Sequence, residues 1–269
     1  MLIAQITDFH VVERGELLAD HVDTASMLRS AVGHLATMRP RPDVVVATGD
    51  LVNDGRPAQY DHLMEILDPL PVPLHVVPGN HDDRAELRAR FADLPGATSH
   101  DGRLDQVIDD HPVRLIGLDT TVPGDHGGVV AADQMRWLDE VLGHEPDRPT
   151  LVFQHHPPFT TGITWMDEVG LAPAARLETT IARHDNVLAI VCGHVHRPVV
   201  TGFGGTVASC WPSTGAQVAL ALDGTRYTYV DEPGAVVLHR WDADHGLVTH
   251  LDRVTDATTW TPAWARNGV

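Results

Sequence analysis

The chain is predicted to be an α/β protein built on parallel sheet, and three observations carry that reading. Short β-branched or apolar runs alternate with segments of helical spacing up to about residue 198, and such alternation makes βαβ units with parallel pairing. Five separated segments end in metal-ligand residue types: Asp8-Phe9-His10, Gly49-Asp50, Gly79-Asn80-His81-Asp82, His155-His156 and Gly193-His194-Val195-His196. Four of the five follow a run that reads as a buried strand. A parallel sheet brings the carboxyl ends of its strands to one rim, where ligand sites form.

The elements follow in order. Residues 2–7 form a compact apolar run, the first strand. Residues 24–39 carry Met27, Leu28, Val32, Leu35 and Met38 at helical spacing, and Pro40 ends them. Residues 44–48, Val-Val-Val-Ala-Thr, are a β-branched second strand. Residues 57–68 read as a helix with Pro57 at its start. Residues 74–77 make a third strand, stopped by Pro78-Gly79, and residues 113–118 a fourth. The spacing of Met135, Leu138 and Leu142 predicts a helix over 131–142. Residues 151–153 are a fifth strand, 173–184 a helix and 188–191 a sixth strand. After about residue 198 the texture changes to short strands separated by glycine-containing turns: 206–210, 226–230, 235–241 and 247–251. The last third is therefore expected to be β-rich and antiparallel.

No internal repeat or low-complexity linker divides the 269 residues, so 1–269 is read as a single domain, with about 200–232 as a projecting hairpin or oligomerisation element. No apolar stretch approaches the roughly 20 residues that span a bilayer. The N-terminal segment lacks a basic leader, so a cytoplasmic location is expected. A formal charge of -18 argues against a nucleic-acid polymer and against anionic membranes as partners. Two cysteines, Cys192 and Cys210, are no disulfide scaffold, and Cys192 reads as a buried small hydrophobe. Of 18 histidines, ten stand outside any motif, among them His62, His100 and His239; these read as surface or satisfied core residues.

Each ligand motif is weak by itself. Asp-x-His occurs by chance, and Gly49-Asp50 also suits a turn or an N-cap. A carboxylate at that position can nonetheless bridge two cations, one on each oxygen. Asn80 offers a neutral amide oxygen to a hard cation, with His81 free to face a substrate. His194 and His196 can chelate one metal or serve two neighbouring ones, and imidazole suits Zn, Fe, Mn and Ni sites. Five such motifs, in this order and at strand ends, point together to a two-metal hydrolase.

The set resembles the calcineurin-like metallophosphoesterase superfamily, over about residues 1–200. Within it the sequence is similar to the bacterial class III phosphodiesterases, which include glycerophosphodiesterases and cyclic-nucleotide phosphodiesterases. Residues 49–60 (Gly-Asp-Leu-Val-Asn-Asp-Gly-Arg-Pro-Ala-Gln-Tyr) and 78–83 (Pro-Gly-Asn-His-Asp-Asp) carry the likeness to the glycerophosphodiesterases. The resemblance implies a four-layer α/β/β/α sandwich with a dimetal site at one edge. It implies that Asp8, His10, Asp50 and His196 hold one metal and Asp50, Asn80, His155 and His194 the other. Fe, Mn, Zn and Co all fit such donors. A hydroxide shared by the two metals is expected to attack phosphorus in line. His81 would stand beside the scissile phosphate and protonate the departing alkoxide. The expected function is hydrolysis of small phosphodiesters, glycerophosphodiesters or 3′,5′-cyclic nucleotides.

Substrate contacts are less defined. His156 orients His155 or the substrate, or packs on Pro157 and Pro158. Asn53 and Arg56 lie in the segment that carries the likeness, and His126 sits in a glycine-rich loop at the expected rim. Trp165, Phe159, Trp211 and Tyr229 are the aromatic residues considered for base stacking. The family often has Pro-x-Thr-x-His-Gln after the last metal motif. Here residues 212–217 read Pro-Ser-Thr-Gly-Ala-Gln, with Ala216 in the histidine position. The rival readings are a phosphomonoesterase or nucleotide pyrophosphatase of the same superfamily, and a non-catalytic module. A one-metal zinc hydrolase is disfavoured because no His-Glu-x-x-His motif is present. Relatives of this group often form dimers or larger assemblies, so a homo-oligomer is expected.

Overall fold

Two β-sheets face one another, with helices on both outer sides, in the computed structural model of the chain, which describes residues 1–91 and 102–265. His100 lies outside the described residues. The first half runs β1 (Leu2–Ile6), α1 (Thr24–Thr37), β2 (Val44–Thr48), α2 (Pro57–Leu67), β3 (Leu74–Val77) and α3 (Arg84–Arg90). It continues through β4 (Gln106–Ile108), β5 (Arg114–Leu118), α4 (Ala132–His144), β6 (Thr150–Gln154), α5 (Thr164–Asp167), α6 (Ala174–Ile181) and β7 (Val187–Cys192). The last third is β8 (Val199–Phe203), β9 (Thr206–Cys210), β10 (Gln217–Val218), β11 (Tyr229–Val230), β12 (Ala235–Asp242) and β13 (Gly246–Arg253).

One sheet has the order β13-β12-β1-β2-β3 and the other β4-β5-β6-β7-β9-β8. Pairing is parallel through β1, β2 and β3, and through β5, β6, β7 and β9. Both faces of these strands are covered, which is why they read as unbroken apolar runs rather than as an alternation. In β2, Val44 and Val46 join the core between the sheets, while Val45 and Ala47 pack under the helices. In β6, Leu151 and Phe153 face inward and Val152 faces the second helix layer. Leu28, Val32 and Leu35 of α1 cover the first sheet with Leu63 and Ile66 of α2. Leu138 and Leu142 of α4 cover the second with Leu177 and Ile181 of α6. The result is the expected α/β/β/α sandwich.

Local chemistry fixes the helix starts. Asp23 caps α1 by accepting from Ser26 N at 2.9 Å, and Pro57 occupies the first turn of α2. Helix α3 is absent from the sequence reading because only Leu87 among its seven residues is buried, so no apolar stripe marks it. Its signal is the cap: Asp83 accepts from Ala85 N and Glu86 N, both at 2.9 Å.

The antiparallel expectation for the last third needs one correction. Strand β9 is antiparallel to β8 but parallel to β7, with Cys192 opposite Cys210. The hairpin between β8 and β9 turns through Gly204 and Gly205, both at positive φ, and this folds β9 back between β7 and the edge. Strands β12 and β13 return to the first sheet, where β12 runs antiparallel to β1. Strands β10 and β11 form a separate two-stranded ribbon. Among the described residues, no helix is long and apolar enough to cross a membrane.

Candidate metal centre

The carboxyl ends of β1, β2, β3, β6 and β7 reach one rim, and the five motifs meet there. His10 Nε2 lies 3.2 Å from His196 Nε2 and 3.5 Å from Asp50 Oδ2. His196 Nε2 lies 3.3 Å from Asp8 Oδ1. On the other side, His155 Nε2 is 3.3 Å from Asp50 Oδ2, 3.1 Å from Asn80 Oδ1 and 3.2 Å from His194 Nδ1. One oxygen of Asp50 thus stands between two groups of donors.

The backbone is bent to achieve this. Asp8, His10, Asp50, His194 and His196 all have positive φ, between 44° and 70°. Left-handed backbone costs a non-glycine residue about 1–3 kcal/mol and collects at functional sites. Two glycines make room for the bends. A Cβ on Gly79 would overlap Asp50 Oδ1, and one on Gly193 would overlap Thr7 Oγ1.

The donor set fits cations. His155 Nδ1 donates to Thr48 O at 2.8 Å, and His196 Nδ1 donates to Ala216 O at 2.6 Å. In the neutral form of each ring the Nε2 lone pair then faces other acceptors, the arrangement a cation would satisfy. In Asp8, His10, Asp50 and His196 the ligand atoms all lie within 4.8 Å of one another. Acceptors packed this closely without an ion repel one another or share protons. Burial would keep His155 neutral, but Asp50 and Asp8 outweigh it and push its pKa up to about 9. Burial, opposed by Asp50, takes His10 down to about 3. Burial, with His156 and His155 nearby, holds His194 well below the usual imidazole range.

Supporting residues surround the ligands. Asp8 accepts from Thr7 Oγ1 at 2.7 Å and from His194 N at 3.0 Å. Ser213 Oγ donates to Asp8 O at 2.6 Å, so the segment after β9 buttresses the first motif. The backbone of Ala216 orients His196 whatever side chain stands there. Asp82 accepts from Gly79 N (2.9 Å), Leu51 N (3.1 Å), Val52 N (3.3 Å) and Tyr60 OH (3.0 Å), tying the Asp50 and Asn80 loops together. Burial, and then Asp50, raises Asp82 to about 6. Thr7, Thr48 and Ser213 had no role in the sequence reading, where their nearness to the motifs in the chain is the only signal, and Asp82 stood in the third motif without an assigned role.

The remaining sequence candidates divide. His81 donates from Nδ1 to Asn53 O at 2.6 Å, and both residues line a cleft of about 1150 Å³ over the centre. His126 lines it too, with Nδ1 3.2 Å from Asn80 Nδ2. His156 is buried behind His155 and does not line the cleft. Its Nδ1 meets Thr120 Oγ1 at 2.8 Å and its Nε2 meets His126 O at 3.1 Å, so both nitrogens are engaged. Arg56 does not line it either; it faces Glu13 at 3.5 Å. Of the four aromatics, Trp165 and Tyr229 reach the cleft, while Trp211 and Phe159 pack in the apolar cores. His62 and His239 are buried with hydrogen-bond partners, as satisfied core residues.

A sequence model of calcineurin-like phosphoesterases matches residues 1–198. The chain is 35% identical over 256 residues to a probable glycerophosphodiester phosphodiesterase of Arcobacter nitrofigilis, covering 94% of this chain and 93% of the relative. It is 30% identical over 258 residues to a 3′,5′-cyclic adenosine monophosphate phosphodiesterase of Pseudomonas aeruginosa, covering 95% and 91%. Among solved structures, a dimetal phosphatase from Danio rerio superposes with a TM-score of 0.66 at 19% identity, covering 95% of this chain and 99% of that one. That last likeness concerns the fold.

Proposed function

The chain belongs to the calcineurin-like phosphoesterase family, and from that premise we propose that it is a metal-dependent phosphodiesterase acting on small diesters with two divalent cations. The observation that carries this is Asp50 Oδ2, held 3.5 Å from His10 Nε2 and 3.3 Å from His155 Nε2 between two donor sets. Asp8, His10, Asp50 and His196 hold one cation in this reading, and Asp50, Asn80, His155 and His194 the other. When bound, such ions lower the pKa of a shared water and neutralise phosphate oxygens.

The chain's own residues do the rest. Thr48 O and Ala216 O fix the tautomers of His155 and His196, so the ligand nitrogens need no reorganisation. Asn53 O holds the Nδ1 proton of His81 and leaves Nε2 toward the cleft. In its doubly protonated form His81 can donate from Nε2 to a phosphate oxygen and then pass that proton to the departing alkoxide, returning to the neutral ring that keeps its Nδ1 proton on Asn53 O. Asn80 Nδ2 contacts His126, which extends the polar floor toward the rim. Asn53 and His126 are proposed to contact substrate directly. His156 is proposed to act through His155 by fixing its packing, and Arg56 to act only at the outer edge.

Glycerophosphodiesters and 3′,5′-cyclic nucleotides are the substrates, supported by the two groups of named relatives. Fe, Mn, Zn or Co fits the mixed oxygen and nitrogen donors. We further propose that the chain works as one domain and forms a homo-oligomer. Trp260 and Trp264, 80% and 77% exposed, offer apolar surface for such an assembly. Two free buried cysteines accord with a reducing cytoplasm.

The test is turnover of glycerophosphoethanolamine, 3′,5′-cyclic AMP, bis(p-nitrophenyl) phosphate and the p-nitrophenyl monoester by metal-reconstituted protein. Diesters are expected to exceed the monoester. His81→Ala is expected to lower kcat by about 100-fold or more, the low end for a lost acid. Two bound metals with no diester turnover would sink the assignment.

A further inference from the structure

Each cation of the reading above takes ligands from both sheets, and among the described residues no strand ladder joins the sheets. Side-chain ties between the sheets therefore set the span of each site. At the first site the tie is direct: His194 N, in the motif after β7, donates to both oxygens of Asp8, after β1, at 3.0 and 3.1 Å. The second site is harder to fix. Asn80 follows β3, the edge strand of its sheet, which pairs with β2 alone. The bonds of Asp82 hold the Asn80 loop to its own sheet. His155, across the site, follows β6 in the other sheet and is anchored to the first sheet by its bond to Thr48 O. Asn80 needs a counterpart anchor on the second sheet. Gln106 Nε2 donates to Val76 O at 2.7 Å, but that tie lies within the strands, below the rim.

Arg84 supplies the anchor at the rim. It is the first residue of α3, just past the Asn80 loop. Its Nε and Nη2 donate to Asp119 Oδ2 and Oδ1 at 2.7 and 2.9 Å, and Nη2 also donates to Thr121 O at 2.7 Å. Asp119 directly follows β5 in the second sheet, and its side chain is fully buried. The carboxylate is also held independently of Arg84: Leu104 N, Thr121 N and Thr121 Oγ1 donate to it at 2.9, 3.0 and 2.7 Å. A bidentate fork on a fixed carboxylate defines direction as well as distance. Next in the chain, Thr120 Oγ1 donates to His156 Nδ1 at 2.8 Å, because Nε2 of that ring places its proton on His126 O. Residues 119–121 thus grip the Asn80 loop on one side and the His155 motif on the other, although β5 ends in no ligand.

We infer that Arg84 and Asp119 are positioning residues, a buried clamp between the sheets that sets the span from Asn80 to His155 and with it the affinity of the second cation site. This rests on the two-cation reading above and adds to it residues outside the ligand set. The test is calorimetric Mn2+ titration of the metal-free full chain, for wild type, Arg84→Lys and the double variant Arg84→Met with Asp119→Asn. Lysine keeps the charge and loses the fork. The double variant loses the fork without leaving a buried carboxylate unpaired. Leu138→Ala, in the core under α4, is the control for lost stability alone. Both clamp variants should weaken the site that Asn80→Ala weakens about 10-fold or more, and leave the other, like both sites of Leu138→Ala, within about twofold. Affinities within about twofold of wild type in both clamp variants overturn the inference. Two sites that weaken together, in step with the melting temperature, overturn it as well. If wild type does not bind a pair of Mn2+ ions per chain, the two-cation reading falls and takes the inference with it.

Discussion

Replacing Asp82 with Ala tests how the Asp50 and Asn80 loops are held. The buried carboxylate accepts from three backbone N–H groups and one phenol. Orphaning four such groups at about 1.5 kcal/mol each costs about 6 kcal/mol. Removing the carboxylate also removes a burden. Its pKa is raised from 3.8 to about 6, and the shift of roughly 2 units means the buried anion costs the fold about 3 kcal/mol at pH 7. The net loss in Asp82→Ala is therefore about 3 kcal/mol at pH 7. The sign with pH follows from the raised folded value. The proton on Asp82 favours the fold, a contribution that is complete below 3.8 and is lost as pH rises through about 6. The difference between wild type and variant should thus grow from about 3 kcal/mol at pH 7 to about 6 kcal/mol near pH 4. Urea unfolding of metal-free protein at both pH values measures it. A loss under about 1 kcal/mol at pH 7 would refute the reasoning, as would a loss that shrinks on acidification.

Three further outcomes are expected. Asn80→Ala should weaken the site of Asp50, Asn80, His155 and His194 about 10- to 100-fold in calorimetric metal titration, by analogy with lost supporting ligation; two sites of unchanged affinity would contradict the ligand assignment. Gly193→Ala drives a Cβ into Thr7 Oγ1 and close to Asp8 Oδ2, and should cost about 3 kcal/mol or more in stability by overpacking; a neutral melting temperature would disprove the close approach. His239 is buried between Gln5 and Thr249, and burial alone takes its pKa down to about 3. The fold prefers the neutral ring, so this stability is present above about 6.5 and is lost as pH falls toward about 3. His239→Gln should flatten the decline in stability between pH 6.5 and 4, by up to several kcal/mol; an unchanged slope would place the acid sensitivity elsewhere.

Much of the parallel core and all five ligand motifs were legible in the chain itself. Strands buried on both faces must be continuous apolar runs, and 44–48 and 188–191 cannot easily be anything else. The bends that follow them carry Gly next to Asp, Asn or His, because short polar side chains tolerate left-handed backbone and glycine clears the space. Helix α3 was hidden because six of its seven residues are charged or small and Leu87 alone is buried, although its Asp83 cap was there to be read. Periodicity says which way a residue faces and not which strand lies beside it. The parallel pairing of β9 with β7, and the return of β12 to β1 across more than 200 residues, are long-range hydrogen-bonding choices made by the whole core. The same holds for the cleft. Local sequence gave Tyr229 and Trp165 as aromatics without a location, and no spacing rule relates Glu168 to Arg226. Only the folded chain brings them to the cleft that Asp50 also lines, because that lining is assembled from segments that share no local periodicity and meet only through tertiary packing.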